Sequence, residues 1–342
     1  MEVSFCQGLH VNYYQMADQK KLFRDYFGIQ HNKIYKTGPI LSLLNKSIFR
    51  HWLNKRRRDV NIYHPTYYYP ETSVGAKTVM TVYDMIHEKY PQYLKGAKEF
   101  SDNKRRVLAR MDKILAISEN TKNDLIELFS IPPEKIEVVP LAASDSFRTA
   151  TSAERSSFLL RRGLDRPYLL YVGDRAGYKN FITLLKAFSQ WPKRTDYQLV
   201  CVGNAGNYSN EETEIIVKQG LGDKIKLFSG ISDEELRLFY ANAQALVVTS
   251  LYEGFGITPL EAMRCGTPVI VSNSSSLPEV VGEAGMYYQA LEPEELLLCL
   301  DKITGNAAAR AEYINKGLAR SSKFSWEKTA ADTFKAYQQL IS

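Results

Sequence analysis

Five short runs of aliphatic and β-branched residues recur through the second half of the chain: YLLYVG (168–173), YQLVCVG (197–203), KIKLFSG (224–230), AQALVVTS (243–250) and TPVIVS (267–272). Between most of them lie helix-type patterns such as NFITLLKAFSQW and DEELRLFYANA. A strand that is apolar on both faces has to be covered on both faces. Its alternation with helices therefore predicts a parallel sheet sandwiched between helical layers. Ser232 followed by Glu235 has the spacing of a capping box at a helix start.

The first half repeats this pattern less regularly. VNIYH (60–64), KTVMTVYD (77–84), DKILAIS (112–118) and KIEVVP (135–140) read as strands. SENTKNDLIELF (118–129) reads as a helix opened by Ser118 and stopped before Pro132 and Pro133. The polar, Ser/Thr-rich segment 144–157 marks a joint. The expected organisation is an α/β chain of two doubly wound Rossmann-like domains, 1–150 and 151–324, with an interdomain cleft. A final helix over 325–342 is expected to join the first domain. Ligands of such sheets bind outside the carboxyl ends of the strands, which places the site in the cleft.

Composition narrows the function. No run of about 18 apolar residues is present to span a bilayer as a helix, and the first thirty residues lack a secretory signal pattern. The cysteines Cys6, Cys201, Cys265 and Cys299 are scattered, with no metal-type pair. A reduced, cytoplasmic protein is the expectation. Residues 1–150 hold 23 Lys and Arg against 16 Asp and Glu, so the whole positive excess sits there. It is densest at Lys55–Arg58 and over 103–110. Such clusters are either a solvated helix face or a peripheral contact with anionic lipid. No aromatic-rich motif accompanies them, so nucleic acid is not an expected partner.

The chemistry concentrates in LYEGFGITPLEAMRCGTPVIVS (251–272). A strand ends near Ser250, a helix starts near Thr258, and Pro259 suits the first turn. In the loop between, Gly254 and Gly256 let the backbone come close to a ligand. The helix start supplies N–H groups and a positive dipole end, a cradle for phosphate. Glu253 lies at its mouth, and Glu261 about one turn in, where a carboxylate can accept from sugar or ribose hydroxyls. A surface loop with a solvated glutamate is the alternative.

A second turn, YVGDRAGYKN (171–180), also follows an apolar strand and opens a helix. It is not a P-loop, because no Ser or Thr follows Lys179. Arg175 and Lys179 can neutralise a diphosphate leaving group without a metal, or they can be solvated charges at an ordinary helix start. No Asp-x-Asp pair and no His-rich metal spacing occurs in the chain.

Glu253 through Glu261 resembles the E-x7-E motif of retaining glycosyltransferases of family 4. YVGDRAGYKNFITLLKAF resembles that family's phosphate-binding turn. HPTYYYP, TVYDMIHEKYP and ISENTKNDLIELF resemble a bacterial branch that serves surface polysaccharide assembly. The resemblance implies the GT-B fold, with the nucleotide sugar held mainly by the second domain and the acceptor by the first. It implies that Arg175 and Lys179 meet the donor diphosphate and that Glu253 meets the sugar hydroxyls. Gly254, Phe255, Gly256 and Ile257 would present backbone N–H groups, and Glu261 would meet the ribose. Gly173, Gly203, Gly230 and Ile231 would lie along the nucleotide. Many relatives carry a histidine where this chain has Tyr83, so Tyr83, Asp84 and His87 are acceptor-side candidates, with Tyr83 as a core aromatic the alternative. Relatives also open with a strand and a glycine-rich loop. MEVSFCQ looks more like the second strand of the domain, as if the first βα unit were missing.

The function implied is metal-independent transfer of a hexose, mannose from GDP-mannose above all, to a polysaccharide or lipid-linked acceptor, with no cofactor. A UDP-sugar donor, a nucleotide-sugar epimerase on the same fold, and a truncated nucleotide-sugar binder are the alternatives.

Overall fold

The computed structural model describes residues 4–10, 25–30, 47–48, 51–52, 55, 60–68, 75–175, 177–203 and 207–342. Strands β1 (Ser4–His10) and β2 (Asp25–Gln30) pair in parallel. Strands β3 (Ile62–Tyr63), β4 (Lys77–Val82), β5 (Lys113–Ala116) and β6 (Ile136–Val138) form a second parallel sheet in that order. Helices α1 (Ile86–Lys89), α2 (Ala97–Leu108) and α3 (Glu119–Phe129) fill the connections. Of MEVSFCQ, on which the expectation of a missing first βα unit rests, residues 4–7 belong to β1, whereas Arg56–Arg58 of the basic cluster lie outside the described residues.

The third sheet contains β7 (Tyr168–Val172), β8 (Gln198–Val202), β9 (Ile225–Phe228), β10 (Ala245–Val248), β11 (Val269–Ser272) and β12 (Gly285–Tyr288). All its pairs are parallel, in the order β12-β11-β10-β7-β8-β9. Residues of each strand alternate between two cores. Tyr168, Leu170, Val200, Val202, Leu246 and Val248 face one core, while Leu169, Tyr171, Leu199, Cys201, Ala245 and Val247 face the other. Helices α4 (Ser152–Arg162), α5 (Phe181–Gln190), α6 (Asn210–Lys218), α7 (Asp233–Asn242), α8 (Ile257–Arg264), α9 (Leu277–Val281), α10 (Pro293–Gly305) and α11 (Ala307–Ser321) enclose it. Full burial of each leucine or valine contributes about 1.5–3 kcal/mol. This two-sided burial is why these strands read as continuous apolar runs.

Chain order reverses between β7 and β10, so their carboxyl ends flank the crevice where such sheets take ligands. Gly173 ends β7, and the loop carrying Glu253 follows β10.

Helix α12 (Trp326–Ile341), capped by Ser325, packs Ala336 against Val79, Leu115 and Val139 at the β3–β6 sheet. There the Tyr337 hydroxyl lies 2.6 Å from His64 Nδ1, and Thr81 Oγ1 lies 3.0 Å from Nε2. Burial pulls the His64 pKa down to about 4.

The structure corrects two local readings. Ser232 does cap α7, accepting from Glu235 N. The reciprocal half of the box is not made, because the Glu235 carboxylate takes the Arg162 guanidinium instead, with Nε at 2.6 Å. The basic run over 103–110 is not one solvated face either. Lys104 is 1% exposed, donating to the Asp84 carbonyl at 2.5 Å and pairing with Glu88 at 3.1 Å.

Candidate functional site

The loop after β10 turns sharply into α8. Gly256 occupies the N-cap with φ +117°, a left-handed conformation that side chains resist, and no side chain caps the helix. Gly254 is required for a different reason. A Cβ there would overlap the Tyr83 carbonyl oxygen and sit 3.0 Å from Asp84 Cβ. The turn is therefore pressed directly onto the strand end that carries the acceptor-side candidates.

Serines hold the turn from behind. Glu253 N donates to Ser275 Oγ at 2.8 Å, and Ser276 Oγ lies 2.8 and 2.7 Å from the Glu253 and Phe255 carbonyls. Lys179 and Glu253 meet at the mouth, Nζ to Oε1 at 2.7 Å, and Ser250 Oγ donates to the same oxygen at 2.6 Å. Burial pulls the Lys179 ammonium down, but Glu253 more than offsets it and the net shift is upward. Lys179 thus stays a cation, paired with Glu253 in the loop that leads into α8.

Glu261 sits in the second turn of α8, partly buried, and its Oε2 accepts from the Tyr240 hydroxyl at 2.9 Å. Burial pushes its carboxyl up to about 7, against the pull of that hydrogen bond. Gly203 packs against Gly173, and Gly230 and Ile231 form the turn between β9 and α7. These positions therefore line one crevice edge.

Arg175 carries an ion pair that its local sequence does not reveal. Its side chain is 8% exposed and its Nε lies 3.2 Å from Glu212 Oε1, while the ring faces of Phe181 and Tyr208 flank it. Glu212 is itself buried, with its other oxygen capping α6 through Ser209 N at 2.6 Å. A buried carboxylate demands a cation, and Arg175 supplies it. In this structure the Arg175 guanidinium is engaged by Glu212.

On the opposite wall, Tyr83 is 50% exposed. It helps line a cavity of about 120 Å³ with Tyr67, Tyr68, Asp84, His87 and Phe100. His87 stacks on Phe100 at 3.9 Å, burial lowers its pKa, and its buried Nδ1 has no partner among the described residues. Sequence reasoning named Tyr83, Asp84 and His87 but not the aromatic wall, whose signal is the tyrosine run at 67–69. It also missed Ser275 and Ser276, which carry no motif of their own. Among the described residues no group of three or more His, Cys, Asp or Glu is placed to hold a metal ion.

Residues 153–320 match the family described as glycosyl transferases group 1, and residues 8–146 match glycosyltransferase family 4. The chain is 30% identical to O-antigen chain mannosyltransferase B of Escherichia coli over 295 residues, 84% of this chain and 77% of that protein. It is also 30% identical to the serotype-specific mannosyltransferase WbdA of Escherichia coli over 80% of its own length, but spans only 34% of that larger protein. A glycosyltransferase from Rickettsia africae shares its fold, with a TM-score of 0.74 at 20% identity, covering 98% of this chain and 89% of that one. The two parallel sheets facing each other across the Gly254 turn are those of the GT-B fold, and the chain is a glycosyltransferase of family 4.

Proposed function

We propose that this glycosyltransferase moves mannose from GDP-mannose, with retention of anomeric configuration, onto a glycan or lipid-linked acceptor of a surface polysaccharide. The observation that carries the reading is the Lys179–Glu253 pair at the uncapped start of α8, between the ends of β7 and β10. A cation and a helix N-terminus converge where a diphosphate would sit, with one carboxylate on each side of it. The choice of mannose rests on the 30% identity to the O-antigen mannosyltransferase.

In this reading Lys179 and the N–H groups of Gly254 to Ile257 bind the diphosphate. The bond from the sugar C1 to the phosphate oxygen breaks, and the negative charge that develops on that oxygen is stabilised by Lys179. The acceptor hydroxyl oxygen bonds to C1, and its proton passes to the departing phosphate. Glu253 accepts from hydroxyls of the transferred sugar, Glu261 from the ribose. Arg175 supports the site indirectly, by holding Glu212 and α6. No metal is needed for charge neutralisation. The acceptor enters along Tyr83, with Tyr67 and the His87–Phe100 stack as an aromatic wall. The protein works at the inner membrane face, with Lys55–Arg58 as a peripheral contact.

The test is incubation with a panel of GDP- and UDP-sugars and a mannose-terminated lipid-linked acceptor. Products are weighed by mass spectrometry, and the new linkage is assigned by NMR. An added hexose from GDP-mannose alone, α-linked, is expected. Transfer from a UDP-sugar, an inverted linkage, or release of free epimerised sugar would each overturn a stated part.

A further inference from the structure

The two lobes meet at the first turn of α3, beside the Tyr252 hydroxyl, which donates to Asp124 Oδ2 at 2.6 Å, and the Tyr90 hydroxyl, which donates to the Leu251 carbonyl at 3.3 Å. A helix leaves its first N–H groups without intrahelical partners. Here Ser118 takes one, accepting from Thr121 N at 3.0 Å. The next two are taken from across the cleft: Glu119 N donates to Glu279 Oε1 at 2.9 Å, and Asn120 N to Glu279 Oε2 at 3.2 Å. A carboxylate at a helix N-terminus is favoured both by these charge-assisted bonds and by the dipole.

The same turn also grips the donor loop. Ser118 Oγ donates to the Gly254 carbonyl at 2.7 Å, and Thr121 Oγ1 donates to it at 3.2 Å. Glu279 belongs to α9, whose N-cap Ser276 contacts the carbonyls of Glu253 and Phe255. Behind it, Arg320 of α11 donates through Nη2 to the Glu279 carbonyl at 2.5 Å and through Nε to the Val280 carbonyl at 2.8 Å. One short segment, 275–279, therefore holds the Glu253–Gly256 turn with its serines and the opposite lobe with its glutamate.

We propose that Glu279 is a positioning residue for glycosyl transfer, clasping the first turn of α3 so that the Glu253–Gly256 turn is seated against the acceptor-side lobe. This rests on the transferase reading. Glu279 touches no reacting atom; it sets the distance between donor loop and acceptor wall. With the lobes apart, the two N–H groups and the carboxylate return to water. The donor can still bind its own lobe, but the acceptor hydroxyl no longer reaches C1.

Glu279→Ala, Glu279→Gln and the exposed control Glu283→Ala test this. For Glu279→Ala, kcat should fall by about tenfold or more while affinity for GDP stays within about twofold. X-ray scattering should show a larger radius of gyration. Glu279→Gln retains one acceptor oxygen and should lie between Ala and wild type in both readouts, and Glu283→Ala should match wild type. Adding Ser118→Ala to Glu279→Ala should cost less than the product of the single effects, because both act through one helix end. An unchanged radius of gyration, multiplicative effects, or a loss of GDP affinity equal to the loss of kcat would each overturn the clasp. Scattering needs no turnover, so it judges the clasp even if wild type proves inactive with GDP-mannose, a result that would overturn the mannosyl reading instead.

Discussion

Glu261→Gln should stabilise the ligand-free protein at pH 8 while weakening its grip on nucleotide. Burial pushes the Glu261 carboxyl up to about 7 from its ordinary 4.5, and the Tyr240 hydroxyl offsets only part of that. A raised folded value means that the native state holds the proton more tightly than the unfolded chain does. The resulting stabilisation is complete below pH 4.5 and is lost as pH rises through 7. Relative to acid conditions, a shift of about 2.5 corresponds to roughly 3 kcal/mol lost by pH 8, against less than about 1 kcal/mol at pH 5. Glutamine keeps an oxygen for Tyr240 and carries no charge. The mutant should therefore gain about 1–3 kcal/mol over wild type at pH 8 and less than about 1 kcal/mol at pH 5. Urea unfolding of both proteins at the two pH values measures this directly. Equal destabilisation at both pH values would refute the reasoning, because the carboxylate would then be a net stabiliser in either state. Such a gain is expected where a side chain is kept for binding rather than for stability.

Other perturbations probe neighbouring parts. Lys179→Ala removes the cation at the leaving group and should reduce turnover by about 10² to 10³; steady-state rates within a few-fold of wild type would mean that Lys179 serves only to hold Glu253. Activity should survive EDTA, and complete loss restored by Mg²⁺ or Mn²⁺ would contradict neutralisation by Lys179 and α8. Gly254→Ala forces a methyl into the Tyr83 carbonyl and should cost roughly 1–3 kcal/mol in thermal unfolding, together with most of the transfer rate; a mutant as stable as wild type would show that the turn can move away. Vesicle binding through Lys55–Arg58 should require anionic lipid and weaken steeply with salt, and equal binding to neutral vesicles would remove that contact.

The six-stranded sheet β7–β12 was legible because its strands are buried on both faces and alternate with helices, so period and composition agree. Strand β12 escaped because GMYY is short and opens with glycine. Glu253, Gly254, Gly256 and Glu261 could be read locally, since loop, helix start and carboxylates lie within one stretch. Arg175 could not: its partner Glu212 is 37 residues away and carries no charge pattern that sets it apart from other helix-start glutamates. Lys104 looked like part of a basic surface because its partners, Asp84 and Glu88, lie on another element. The clasp of Glu279 on α3 joins positions about 160 apart through backbone N–H groups, which leave no mark in the side-chain sequence.

Calorimetric titration of GDP and of intact GDP-mannose into Glu253→Gln and Glu261→Gln tests most directly whether the donor lies across the start of α8 with its two sugars on opposite sides. Glu261→Gln should weaken both ligands. Glu253→Gln should leave GDP affinity nearly intact and lower the turnover of GDP-mannose. Equal weakening of GDP by the two substitutions would contradict that placement, and the glutamates would then serve one common subsite or the shape of the loop.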